Sequence, residues 1–316
     1  MKKILVTGAS GFIGKALCNE LTKLNFVVCA VVRNLDTPPL NKDYEYISIG
    51  NINSDTNWRD TLEKVDCIIH CAGKTHKMSK NKDLVNDYSA NSEGTRHLAE
   101  QARAAGVKRL VFLSSIKVNG EGTDKINDKE IFTNNDTPRP EGTYAISKLE
   151  SEQALWEISS RTGLEVVVVR LPLVYGWGVK GNLFRLIKLI KSGIPLPFSM
   201  INNKRSMIGI DNLVDLLIHC IDHPNASGKI FLASDGKDLS TPKLIKLIAS
   251  SMGTKANLFP LPISILKFLA SIFGKKEEIN RLVGSLRVDN SYTKQILNWT
   301  PPISIEDGIK RMVQKK

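Results

Sequence analysis

The sequence predicts an α/β protein, a doubly wound parallel sheet followed by a smaller C-terminal lobe. Three observations carry this. Over the first 170 residues, short runs that are apolar throughout alternate with helical patterns. Such runs mark parallel strands covered on both faces, and strand–helix alternation marks a doubly wound sheet. A glycine-rich turn, "TGASGFIG", joins the first apolar run to the first helical pattern. After Pro172 the pattern becomes mostly helical with Gly and Pro breaks.

Taken in order, "KILVTG" reads as the first strand, residues 12–24 as a helix and "FVVCAVVR" as the second strand. "VDCIIHCAG", "VKRLVFLSS" and "LEVVVVRLP" supply further strands. Leu183, Leu186, Ile187 and Ile190 fall at helical spacing, and "KSGIPLPF" then breaks the chain. Ile210, Leu213, Val214, Leu217, Ile218 and Ile221 form an amphipathic stripe. "KIFLAS" is one more strand, and the chain from Ser240 is helical with loops. Within it "LPISILKFLASIF" (261–273) is apolar on most sides. A packed helix of the lobe is expected there, and a segment facing lipid or a polyprenyl-linked sugar is the alternative.

Composition narrows the function. Apolar content of 42% and charged content of 24% are ordinary for a globular protein. The 5 cysteines include no C-x-x-C pair, which argues against a zinc site or a disulfide framework and for a reducing, cytoplasmic setting. No metal site is expected. "MKKILVTGAS" starts positive, but Thr7 and Gly8 cut its apolar run too short for a signal peptide. No run reaches the length of a membrane span. The net charge of +12 is carried by scattered lysines without interleaved aromatics, so a solvated surface is expected rather than nucleic-acid binding.

The chemistry starts at the turn. Gly8, Gly11 and Gly14 follow G-x-x-G-x-x-G spacing between a strand and a helix. Small residues there let a pyrophosphate reach the helix N-terminus, where unpaired N–H groups and the helix dipole favour an anion. The second strand ends at Arg33, where sites preferring NAD place an acid. An arginine there suits the 2′-phosphate of NADP. Asp36, nearby, leaves NAD open. "TYAISK" sets Tyr144 and Lys148 on one helical face.

These motifs, with "HCAG" (70–73), "NSEGT" (91–95), "FLSSIKVNG" (112–120), "VRLPLVYG" (169–176), "NKRSMIGIDNLVD" (203–215) and "LNWTPPISIEDGI" (297–309), span most of the chain. The sequence resembles the extended short-chain dehydrogenase/reductase superfamily, in its NAD-dependent epimerase/dehydratase branch. The resemblance implies a Rossmann domain over 1–172 and 206–236 and a nucleotide-sugar lobe over 173–205 and 237–316. It implies Ser115, Tyr144 and Lys148 as the catalytic set. A dinucleotide would be held by Gly8, Ser10, Gly11, Phe12, Ile13, Gly14, Arg33, Asn51, Ile52, Cys71, Ala72 and Gly73, with Tyr144 and Lys148. Substrate would meet Ser115, Asn182 and Arg205, and Lys74 and His76 from the loop after their strand. A homodimer is the family's default. Asn91 is expected to organise backbone, and His70 to be a core or strand-end residue.

The sequence departs from the family at Asn119 (usually Tyr), Leu171 (usually Pro), Gly209 (often His) and Asn51 (usually Asp). Ile116 and Lys117 stand where the 4,6-dehydratases carry Asp-Glu, so water elimination is not expected. The expected reaction is hydride transfer at C4 of a UDP-linked sugar. Arg33 favours NADPH-dependent reduction of a UDP-4-keto-6-deoxy-(N-acetyl)hexose for surface polysaccharide. The alternative is a UDP-hexose or UDP-N-acetylhexosamine 4-epimerase with tightly bound NAD. A non-catalytic dinucleotide-binding protein is the remote alternative, disfavoured because the Ser–Tyr–Lys set is complete.

Overall fold

The computed structural model describes residues 1–34, 44–73, 84–123 and 130–314, with side chains from residue 91 onward in the helix that begins at Leu84. Its elements are β1 (Lys3–Thr7), α1 (Phe12–Lys23), β2 (Val27–Val32), β3 (Glu45–Ser48), β4 (Cys67–His70), α2 (Leu84–Ala104), β5 (Arg109–Ser115), α3 (Gly142–Thr162), β6 (Glu165–Leu171), β7 (Leu173–Tyr175), α4 (Asn182–Lys191), β8 (Met207–Gly209), α5 (Ile210–Cys220), β9 (Lys229–Leu232), α6 (Thr241–Ser251), α7 (Ile263–Ile272), α8 (Lys276–Val283), α9 (Ser291–Leu297) and α10 (Ile305–Val313).

Seven parallel strands form one sheet in the order β3-β2-β1-β4-β5-β6-β9. The order reverses between β1 and β4, and ligands of such sheets sit in the crevice outside the strand ends at that point. All seven residues of β5 are buried, which explains its apolar centre Leu110–Leu113, while its polar ends are bonded, Arg109 to Glu165 and Ser114 to Glu152. One face of the sheet packs against α1 and α5 through Leu17, Leu21, Leu213 and Leu217. The other packs through Leu98, Ala102, Leu155 and Ile158 of α2 and α3. Leu297 and Trp299 return from far along the chain into the first of these layers, and Trp299 Nε1 donates to Asp215 at 2.6 Å.

A separate core holds the lobe, with Leu183, Ile190, Leu196, Ile245, Ile248 and Leu266 among its buried residues. The lobe meets the sheet at the half-buried Asp235 carboxylate. It accepts from Tyr175 Oη (2.7 Å), Asn212 Nδ2 (2.7 Å) and the Gly209 N–H (3.1 Å). Gly308 of α10 closes on this group so tightly that a Cβ there would lie 2.7 Å from the Tyr175 hydroxyl.

Two features are not in the sequence-based expectation. Edge strand β3 is short and half-exposed, so neither apolar continuity nor clean alternation marks it. Strands β7 and β8 pair in parallel over three residues each, too short for a periodic signal.

Candidate active site

The turn after β1 is built for close approach. Gly8 takes φ +65°, and a Cβ on it would stand 2.9 Å from the Ala72 nitrogen. A Cβ on Gly14 would lie 2.3 Å from the Gly8 carbonyl oxygen. Only glycine allows the first turn of α1 to sit this close under the loop. The helix's first-turn N–H groups, which lack intrahelical partners, then face the crevice. No acid occupies that turn.

The crevice at the switch point has a volume of about 620 Å³. Of the sequence-predicted residues, Gly8, Ser10, Gly11, Arg33, Asn51, Ile52, Cys71, Ala72, Gly73 and Lys148 line it together. Gly14 is buried beneath, and Phe12 and Ile13 pack partly buried against the sheet core. The glycine cradle, the polar loops after β2 and β3, and the cation at the far end fit a dinucleotide. Among the described residues no group of three or more His, Cys, Asp or Glu could hold a metal ion.

Lys148 is buried, and its ammonium donates to the Leu113 carbonyl at 2.8 Å and stands 4.5 Å from the centre of the Phe112 ring. Burial lowers its pKa to about 8, opposed by the charge of Glu152. Ser115 ends β5, and its Oγ accepts from the Lys117 N–H at 3.3 Å. Tyr144 lies one turn before Lys148, half-buried in the first turn of α3.

Behind these residues a charged network is fully enclosed. Arg170 grips Glu152 with two hydrogen bonds, 3.0 and 2.6 Å, both side chains being at most 2% exposed. Ser114 Oγ also donates to Glu152, and Arg170 Nη1 donates to Asn119 Oδ1 at 2.9 Å. Asn119, the departure from the family tyrosine, thus accepts a third hydrogen bond from the arginine and donates through Nδ2 to the Thr133 carbonyl at 3.1 Å.

His70 is the buried last residue of β4, and both of its ring nitrogens are hydrogen-bonded. Thr95 Oγ1 donates to the Asn91 carbonyl (2.8 Å), so it accepts from His70 Nε2 (3.1 Å). His70 Nδ1 therefore accepts from Thr7 Oγ1 (2.7 Å), whose oxygen accepts from the Ala72 N–H (3.1 Å). Burial, with the Lys148 charge, lowers the histidine to about 3, so it stays neutral. The chain of bonds pins the Ala72 turn against Gly8.

Other sites fall apart from the crevice wall. Asn182 opens α4 on an exposed surface. Arg205 spends Nη1 on the Arg281 and Gly284 carbonyls, 2.7 and 3.1 Å away. Lys74, His76 and Asp36 lie outside the described residues. Asn34, Gly50, Asn53, Thr95 and Ser151 also line the crevice and were missed. Gly50 and Asn53 follow the overlooked β3, so finding that strand would have exposed them.

The model of the NAD dependent epimerase/dehydratase family matches residues 4–233. The chain belongs to this family. Within the epimerase/dehydratase family, the chain is 41% identical to a UDP-glucose 4-epimerase of Vibrio cholerae, over 99% of its own length and 95% of the relative's. Its fold is that of a Bacillus cereus UDP-glucuronic acid 4-epimerase solved with UDP-glucuronic acid and NAD, at a TM-score of 0.79, 22% identity and 98% coverage of each chain. A Bacillus cereus UDP-N-acetylglucosamine 4-epimerase fits equally, at a TM-score of 0.79, 20% identity, and coverage of 98% and 97%.

Proposed function

We propose that the protein is a 4-epimerase of a UDP-linked hexose or N-acetylhexosamine that retains NAD. The observation that carries this is the 41% identity, along nearly the whole chain, to a UDP-glucose 4-epimerase. The neighbouring structures solved with NAD support the same cofactor. They weigh against Arg33 as a 2′-phosphate partner and against NADPH-dependent reduction as the main reaction. Arg33 is instead an exposed crevice-rim cation whose carbonyl accepts from Ser48 Oγ at 2.9 Å.

Gly8, Ser10, Gly11, Asn51, Ile52 and Lys148 would hold NAD, which when bound would supply a reversible hydride acceptor. Tyr144 takes the proton from the sugar's 4-hydroxyl and later returns it to the same oxygen, so the tyrosine ends the cycle as it began. A free tyrosine has a pKa of about 10, and bringing it near 7 needs roughly 4 kcal/mol of preferential phenolate stabilisation. The Lys148 ammonium, desolvated and one helical turn away, supplies a field of that kind. Ser115 keeps a hydroxyl proton to donate to the same sugar oxygen as charge develops. Lys117 is ion-paired with Glu121 at 2.6 Å and Ile116 is buried, so neither stands in for the dehydratase acid and base. The sheet domain holds the dinucleotide, and the lobe around α4 and α6 the nucleotide sugar. We assign the enzyme to the cytoplasmic compartment as a homodimer, which light scattering checks.

The test is to denature purified protein, assay released dinucleotide, and follow UDP-glucose and UDP-N-acetylglucosamine by NMR without added reductant. Co-purified NAD and interconversion at C4 are expected. Tyr144→Phe should lose turnover by at least about a thousandfold with bound NAD retained. NADPH consumption with a 4-keto sugar nucleotide, without interconversion, would replace the epimerase by the reductase.

A further inference from the structure

Helix α7 carries its apolar stripe on the outside. Leu266 and Ala270 face the lobe core and are buried. Ile265, Phe268, Leu269 and Ile272 recur at i, i+3, i+4 and i+7, and are 45%, 66%, 40% and 62% exposed, with Phe273 following at 73%. A helix that packs only inward places polar side chains at these positions. The exposed apolar character extends to Phe259 and Met200, in segments joined by a Ser199 N–H to Phe259 carbonyl bond of 3.3 Å.

The charge leading up to and along this helix is positive, and the first acids, Glu277 and Glu278, come in the first turn of α8, where Glu278 pairs with Lys275 at 3.6 Å. Between Asp238 and Glu277 the sequence has no acid and six lysines, Lys243, Lys246, Lys255, Lys267, Lys275 and Lys276. All six are exposed. The segment from Val166 to Ile210 is likewise free of acids and holds Lys180, Arg185, Lys188, Lys191 and Lys204 on exposed surface. Past β6 the second segment joins the first in the lobe, where α4 packs on α6. The excess positive charge of the chain is therefore concentrated on the lobe rather than spread evenly.

We propose that α7 docks the protein on an anionic lipid bilayer. Outward Phe and Ile side chains enter the boundary between headgroups and acyl chains, and Lys267 and Lys276 meet anionic headgroups, joined by Lys275 where it leaves its exposed pair with Glu278. At ten residues, about 15 Å, the helix lies on the surface and does not cross it. A second copy of this chain fits poorly. A two-fold contact would set Lys267 and Lys276 against the same lysines, while the neighbouring acids Glu277 and Glu278 already face Arg281 (3.4 Å) and Lys275 (3.6 Å) of their own chain. The proposal concerns this face alone and stands whether or not the enzyme is an epimerase.

The test is co-sedimentation of the full chain with vesicles of phosphatidylcholine alone or mixed with phosphatidylglycerol, at low and high salt. Binding about tenfold stronger to the anionic vesicles, and weakened by salt, is expected. The variant Phe268→Ser/Ile272→Ser/Phe273→Ser should lose about tenfold of it, with an unchanged circular dichroism spectrum. Lys267→Gln/Lys275→Gln/Lys276→Gln should lose about fivefold per charge removed. Equal binding to both vesicle types, or unweakened binding by the serine variant, would overturn the proposal. So would a dimer that the serine variant dissolves, or a co-purifying acidic protein that covers α7.

Discussion

Lys148 is a buried cation whose pKa of about 8 makes one residue govern both activity and stability at alkaline pH. Its folded-state pKa lies below the ordinary value of 10.5. Keeping it charged is therefore a cost, fully present below about pH 8 and relieved as pH rises towards 10.5. If its charge supports the Tyr144 phenolate, kcat/KM falls as the ammonium titrates. The two quantities move in opposite directions across this window. Initial rates and urea midpoints measured at half-unit steps should show kcat/KM dropping above about pH 8, with no matching loss of stability until other groups titrate. A kcat/KM that stays flat to pH 10 would remove Lys148 from the proton machinery. The cysteines do not confuse the readout, since burial pushes Cys18, Cys29 and Cys220 up to about 12 and Cys67 and Cys71 higher still.

At the scale of the element, α3 is held by one buried ion pair. Glu152 sits one turn beyond Lys148 and is clamped to Arg170 of β6. Removing one partner of such a pair leaves the other charge buried and alone, which costs about 3–5 kcal/mol. Glu152→Gln should lower unfolding free energy by that amount in urea titration, whereas Asp222→Asn, at the exposed pair with Lys2, should change it by less than about 1 kcal/mol. This network also shows where sequence reading stops. Strands β1, β2, β4, β5, β6 and β9 were legible because the centres of buried parallel strands are apolar on both faces, with polar residues mostly at their ends. The glycine turn was legible because its spacing answers a steric need. The bonds of Glu152, Asn119 and His70 were not, because they join residues far apart in sequence, and a lone polar residue in an apolar stretch does not name its partner. The motif match implies a substrate contact for Arg205, and it does not show the bonds of its Nη1 to main-chain carbonyls of the lobe.

At the scale of the molecule, the sheet and the lobe are joined by segments distant in sequence. Trp299 is buried in the sheet's core and bonded to Asp215 of α5. Trp299→Ala should cost about 3–5 kcal/mol by emptying that site, and chemical unfolding checks it. The Asp235 hub draws on Tyr175, Gly209 and Asn212, and Asn212 in turn both donates to the Ile303 carbonyl (2.8 Å) and accepts from its N–H (2.9 Å). Synthesis on the ribosome runs in one direction, so this closure cannot form until residue 303 has left the exit tunnel. Until then α5 has its outer face uncovered, and a nascent chain that stalls before the last turn of the protein keeps an apolar surface open to chaperones and proteases.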